Sequence, residues 1–345
     1  MTNCSQFSFA FPACRKRRVE ADFLGGDVTS NAGALLLRAA DRTLGLTQAV
    51  ARGLGDARDQ ARVRHSVLDQ LRQRVYGMAL GYEDLNDHDG LRHDLALQTA
   101  VDREGALASA PTLCRFENRA ERRTMWAIQR VIVERFIASH DSPPEELILD
   151  FDATDDAVHG HQEGRFFHGY YDHYCFLPLY VFSGDHLLVA YLRPSNIDAA
   201  RHSLAILGLL VKRLRQAWPE VRIIVRADSG FCRWRTLSWC ERAGVGYITG
   251  LAKNARLDAL AAPAMAEAKA RFERTGEKQR LFADLSYAAK TWDKERRVIA
   301  RLEHGEKGAN PRYVVTNLAG DGDDLYDRLY CARGDMENRI KEQQL

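Results

Sequence analysis

The sequence predicts an α/β protein, with a mainly helical region over residues 1–144 followed by a mixed sheet with helices packed on it. Three observations predict this class. Apolar residues in the first part recur at helical spacing, as in residues 65–80, where Val67, Leu68, Leu71, Val75 and Met78 share a face. Ser142-Pro143-Pro144 is the clearest break in the chain. Beyond it, short apolar runs bounded by turn residues alternate with amphipathic helix patterns, the arrangement of a mixed sheet.

The elements follow in order. Residues 7–11 (Phe7, Ser8, Phe9, Ala10, Phe11) read as a short strand before the basic run Arg15-Lys16-Arg17-Arg18. A helix opens at residues 32–38, with Thr29, Ser30 and Asn31 as cap candidates. A second spans residues 65–80, and a third long one runs from Pro111 through Ile137. After the prolines, residues 147–152, 176–182, 186–192, 221–226 and 247–249 read as strands, with helices over 198–218 and 232–243 between them. Residues 254–310 are more irregular and charged, with strands expected at 281–291 and 296–304. Residues 313–317 return to a core-like strand, and the chain is helical from Asp323 onward.

Composition narrows the function classes. A chain of 345 residues implies two or three domains. With 46% hydrophobic and 28% charged residues it is an ordinary globular mix, which excludes disordered, collagenous and membrane-spanning classes. No run approaches the roughly 18 apolar residues of a transmembrane helix. The first 18 residues lack the charge-then-apolar order of a secretory signal, so a cytoplasmic location is expected and no membrane partner. Forty-nine basic against 47 acidic residues exclude a histone-like binder but leave room for a local basic face. Seven scattered cysteines without a C-x-x-C pair argue against a disulfide framework or zinc knuckle.

Acids fall where an α/β sheet collects ligands, at the carboxyl ends of strands. Asp152 ends the first strand, in Leu149-Asp150-Phe151-Asp152-Ala153-Thr154, and Asp228 follows the 221–226 strand, in Arg226-Ala227-Asp228-Ser229-Gly230-Phe231. Asp150, Asp155 and Asp156 compete with Asp152 for the first role, and an aspartate at a strand end is often only a turn former or helix cap. A third acid, Glu337, lies on the last helix, where Tyr330, Arg333 and Glu337 at i, i+3 and i+7 share one face. Three converging carboxylates raise each other's pKa, and two Mg²⁺ ions would relieve the repulsion. Such a pair of ions activates water or a 3′-hydroxyl in phosphodiester displacement.

On these residues the sequence resembles the DDE transposases of bacterial insertion sequences, most closely the IS thirteen-eighty type. The segments 149–156 and 226–231 resemble the motifs of the first and second Asp. The segment 330–337 resembles the Tyr-x2-Arg-x3-Glu signature, and Gly81 to Asp87 and Thr112 to Asn118 resemble N-terminal segments of the group. The resemblance implies an RNase H-like core over 145–253 and 311–345, split by a β-rich insertion over 254–310 and preceded by a helical DNA-binding region over 1–144. It implies Asp152, Asp228 and Glu337 as catalytic, metal-binding residues, with Mg²⁺ the expected ion and Mn²⁺ an alternative. It also implies Tyr330 and Arg333 as DNA contacts, terminal inverted repeats and target DNA as partners, and a homodimer on paired ends.

The signature departs from the family at Gln344, where a Lys is expected; Lys341, one turn past Glu337, is the candidate substitute. Family members also continue past the Glu helix, so the abrupt Gln343-Gln344-Leu345 finish predicts a truncated chain. The implied function is cut-and-paste transposition by hydrolysis and strand transfer. A related nuclease and a DNA-binding remnant without catalysis are the alternatives.

Further features have a sharp and a plain reading. His159, His161, His168, His173 and Cys175 are zinc-ligand types, but their spacing fits no closed motif and predicts a β-hairpin passing the active site. The Arg15–Arg18 run suits DNA phosphates or a solvated loop. Arg115, Arg119, Arg122, Arg123 and Arg130 stripe the third helix, with Glu117, Glu121 and Glu134 available for i,i+4 pairing. Trp234 and Trp239 read as core residues.

Overall fold

The computed structural model describes residues 9–14, 17–21 and 28–344. The chain divides into two compact units, residues 1–131 and 132–345.

The first unit opens on an antiparallel hairpin, β1 (Phe9–Cys14) and β2 (Arg17–Ala21), then turns helical. Its helices are α1 (Ala34–Leu44), α2 (Leu46–Leu54), α3 (Val67–Ala79), the short α4 (His88–Leu91), α5 (Leu95–Val101) and α6 (Ala110–Glu117). Ala34, Tyr76, Leu97, Ala100, Val101 and Leu107 form its apolar centre. Ser66 and Asp69 cap α3 reciprocally. The caps expected for α1 act elsewhere. Its N-cap is Gly33, and the side chains of Thr29 and Asn31 both donate to Asp94, at 2.6 and 3.1 Å.

The long helix expected from Pro111 to Ile137 is two helices, α6 and α7 (Arg122–Ala138), broken at residues 118–121. The glutamates on them pair across the fold and not along the helix: Glu117 with Arg74, and Glu134 with both arms of Arg213.

The second unit is built on β3 (Glu146–Ala153), β4 (Asp156–Ala157), β5 (Phe166–His168), β6 (His173–Phe176), β7 (Leu179–Ser183), β8 (His186–Tyr191), α8 (Ser203–Ala217), β9 (Arg222–Ala227), α9 (Trp234–Arg242) and β10 (Gly246–Leu251). It continues with α10 (Ala255–Thr275), β11 (Gln279–Tyr287), β12 (Arg296–Gly305), β13 (Gly308–Thr316), the single turn α11 (Gly322–Asp324) and α12 (Gly334–Gln344). Eight strands form one sheet in the order β11-β12-β13-β10-β9-β3-β7-β8. The central trio β10, β9 and β3 is parallel and the other pairings are antiparallel.

Residues 254–310 contain the 21-residue α10, which sequence reading missed because charges and Pro263 interrupt its apolar pattern. The strands of that segment extend the main sheet and do not form one of their own.

The period of two along a strand sorts side chains onto two faces. Leu147, Leu149, Phe151, Ile223, Val225 and Ala227 bury one face against Leu207, Leu210 and Leu214 of α8 and Leu237 of α9, with Trp239 packed alongside. The alternate residues, Asp150, Asp152, Ile224 and Arg226, point to the opposite face. There the covering is the last part of the chain: Tyr326 packs with Ile248, Ile299 and Val314, and Met336 and Ile340 of α12 pack on Phe182.

Candidate active site

Asp150 and Arg226 sit side by side on parallel strands β3 and β9. Both are buried, and Arg226 grips Asp150 with two bonds of 2.5 and 2.7 Å. Its remaining arm donates to the Leu329 carbonyl at 2.6 Å. That carbonyl belongs to a π-helical segment, Leu325–Tyr330, followed by a 3-10 turn, Cys331–Arg333, and then α12. Sequence spacing treated Tyr330 to Glu337 as one α-helix; the backbone changes helical type twice across it. Wide turns of this kind frequently mark functional sites. The Asp150–Arg226 pair therefore fastens the element that presents Tyr330, Arg333 and Glu337, and it removes Asp150 from the competition for the first acid role. Asp155 lies 2.7 Å from a ring nitrogen of His173.

Asp152, two residues on, lies on the same face near the strand end, with 13% of its side chain exposed. Arg333 pairs with it at 3.1 Å and donates to Glu337 at 3.3 Å, so one guanidinium stands between β3 and α12. Asp228 starts the turn after β9 and accepts the Gly230 amide at 2.8 Å, the cap role anticipated for such a residue.

The fields of the three acids overlap. Burial raises the pKa of Asp152; Arg333 pulls it down, and the charges of Asp228 and Glu337 push it further up, leaving it above the ordinary aspartate value. Burial lowers the Arg333 value, but Asp152 and Asp228 more than offset this and hold the group firmly charged. Tyr330 is pushed up to about 12, chiefly by burial.

The donor set is all carboxylate oxygen, the chemistry Mg²⁺ and Mn²⁺ take, and its mutual repulsion is what a divalent cation relieves. Glu337 has 55% of its side chain exposed and Arg333 stands between it and Asp152. Among the described residues no three His, Cys, Asp or Glu side chains already stand as a ligand cluster.

Sequence reading missed Gly250, although a glycine inside a strand pattern is the available signal for close backbone approach. A Cβ there would lie 2.7 Å from the Tyr330 hydroxyl and 2.8 Å from the Ser229 amide nitrogen. The bare backbone of β10 thus lets the Asp228 turn and Tyr330 come together.

The histidine-rich segment is a small sheet of its own, in the order β4-β6-β5. It approaches the site through Tyr171, whose pKa is pushed up to about 12 by burial and then by Asp155 and Asp152. Lys341 is exposed on α12. Arg15 and Lys16 lie outside the described residues, while Arg17 and Arg18 fall on β2.

Two acids near adjacent strand ends and a third on a late helix thus share the field of one half-buried arginine. The chain belongs to the family described as Transposase DDE domain group 1, whose model matches residues 11–345. No curated protein matches it. Among solved structures, the cryo-EM piggyBac transposase synaptic complex with hairpin DNA is similar at a TM-score of 0.41 and 9% identity, covering 91% of this chain and 68% of that one. No described helix is long and apolar enough to cross a membrane.

Proposed function

We propose that this chain is a cut-and-paste DNA transposase of a bacterial insertion sequence, of the IS thirteen-eighty type. It would hydrolyse phosphodiester bonds at element ends and join the freed 3′-hydroxyl to target DNA. The observation that supports the reading is that the half-buried Arg333 pairs with Asp152 and Glu337 and feels the charge of Asp228 on the polar face of the sheet.

The strand order β8-β7-β3-β9-β10, antiparallel then parallel, supports an RNase H-like core, with 254–310 inserted into it. The helical first unit is the DNA-binding region of this proposal, and the protein acts in the cytoplasm as a homodimer on paired inverted repeats.

Asp152, Asp228 and Glu337 would hold Mg²⁺, or Mn²⁺. When bound, the ions supply a polarised nucleophile and stabilise the leaving oxygen. The chain's own groups do the rest. Arg333, charged and with its Nε unpartnered among the described residues, is placed to neutralise a phosphate oxygen beside Asp152. Tyr330, protonated at neutral pH, offers a hydroxyl beside the Asp228 turn. Lys341 and the Arg15–Arg18 run would add phosphate contacts.

The test is a strand-transfer assay on duplexes ending in the element's inverted repeats, with Mg²⁺. Joined product that disappears in Asp228→Asn is expected. Nicking without joining would make the chain a nuclease. End binding without Mg²⁺-dependent cleavage, unchanged in Asp228→Asn, would make it a binding remnant.

A further inference from the structure

We propose that the first unit carries a groove that binds the phosphate backbone of duplex DNA, with Arg64, Arg92 and Arg115 as its phosphate ligands. The inference rests on the transposase reading and identifies a surface of the first unit that would grip the substrate.

The groove encloses about 840 Å³ and is lined by six arginines, the others being Arg58, Arg62 and Arg119. They converge from three places: the connection between α2 and α3, the end of α4, and α6 with the residue pair beyond it. Elsewhere in this unit several arginines sit against carboxylates, three of them sharing Asp102. Arg38, Arg42 and Arg72 all bind Asp102, Arg74 binds Glu117, and Arg103 binds Asp69.

In the groove the balance fails. Arg58 takes Asp56 with both arms, and Arg119 reaches the same carboxylate only at 4.0 Å. Arg62 stands 3.4 Å from Asp59. Arg64, Arg92 and Arg115 have no carboxylate partner among the described residues; Arg115 touches only the Thr112 hydroxyl, at 3.2 Å.

Two enclosed nitrogens of the lining, His65 Nδ1 and Arg92 Nε, also have no hydrogen-bond partner among the described residues. The His65 ring registers the surrounding charge. Burial lowers its pKa, and Arg103, Arg92 and Arg64 lower it further against the opposing pull of Asp69.

Uncompensated guanidiniums held together on a concave wall repel one another, and a polyanion relieves that repulsion. Their planar forks match phosphate oxygens. The lining contains no Phe, Tyr or Trp on which a base could stack, and it offers the hydroxyls of Ser109 and Thr112 and the Asn118 amide. That chemistry suits the backbone and carries no base-specific readout.

The experiment measures binding of the full chain to duplex DNA by fluorescence anisotropy across a salt series without Mg²⁺. The triple variant Arg64→Gln, Arg92→Gln, Arg115→Gln is expected to flatten the slope of log affinity against log salt by about 2–3, since each lost phosphate contact removes about 0.9. The weakening should be equal on unrelated sequences. The triple Lys replacement should keep most of the slope, and Arg38→Gln with Arg42→Gln, which removes charge already paired to Asp102, should leave it unchanged.

A folded Gln variant with the wild-type slope overturns the groove, as does an equal flattening by the Arg38 and Arg42 control. If the triple variant fails to fold, the exposed Arg115→Gln alone should lose about 0.9 of slope, and no loss overturns the proposal. Absence of duplex binding by the wild type removes the groove together with the DNA reading. Groove-dependent binding without Mg²⁺-dependent cleavage supports the groove and removes the transposase reading alone.

Discussion

The two faces of the large sheet solve opposite problems. One is mainly apolar, with Leu149 and Phe151 of β3 buried against long helices. The other, formed by the intervening residues of the same strand, carries Asp150 and Asp152 and is covered by a helix that changes type twice. Neighbouring positions on one face also diverge. Asp150 is fully paired and structural, whereas Asp152 shares one arginine with Glu337 and feels two like charges. Packing is concentrated on the first face, and electrostatic strain is stored on the second, where a ligand can relieve it.

Four substitutions test this contrast, from the largest expected effect on stability to the smallest. Asp150→Ala leaves Arg226 buried and unpaired and is expected to cost about 3–5 kcal/mol in denaturant unfolding. It should also loosen the Leu325–Tyr330 segment, read as faster hydrogen exchange there, because Arg226 holds the Leu329 carbonyl. A loss below about 1 kcal/mol would mean that the pair is not the fastening described, since removing one partner of a buried pair normally costs several-fold more.

Leu149→Ala, on the apolar face, should cost about 2–5 kcal/mol. Its effect should be confined to stability, with the folded fraction cleaving DNA at the wild-type rate. A lower rate per folded molecule would show that the two faces are coupled.

Gly250→Ala would gain about 0.5 kcal/mol on an open strand by restricting the unfolded chain. Here the Cβ meets Tyr330 and the Ser229 backbone, so the sign reverses to a loss of about 1–3 kcal/mol. An unchanged melting temperature would contradict that close approach.

Asp152→Asn should behave unlike all of these. The raised pKa means the folded state holds the proton more tightly than the unfolded chain does. That contribution is present at acid pH and is lost as pH rises through the folded value, leaving an ionised, crowded carboxylate that opposes folding at neutral pH. The variant should therefore melt no lower than the wild type at neutral pH, with its relative advantage growing from acid to neutral. It should also lose the Mg²⁺-induced rise in melting temperature expected of the wild type. A variant less stable at neutral pH than at acid pH, relative to wild type, would reverse the assignment of strain.

Much of the candidate site was legible because its signals are local. Asp152 and Asp228 follow apolar runs that end in turn residues, and Arg333 and Glu337 lie within one helical stretch. The histidine segment was legible as a hairpin for the same reason. The α10 helix was not, since Pro263 and scattered charges mask its single buried stripe of Leu257, Ala261 and Ala268.

The sequence by itself determined which residues alternate along β3 and β9 and which acids follow their apolar runs, but not every strand end: the strand expected over 281–291 stops at Tyr287, and the one expected over 176–182 is divided between β6 and β7. Those properties depend on neighbours in the chain. Only the tertiary structure decided that Asp150 is consumed by Arg226, 76 positions away. It alone placed Gly250 against Tyr330, and it alone gathered arginines from three places in the first unit, three of them without a carboxylate partner among the described residues. Each of those facts is a pairing across space, set by strand register and helix docking, which one-dimensional spacing does not encode.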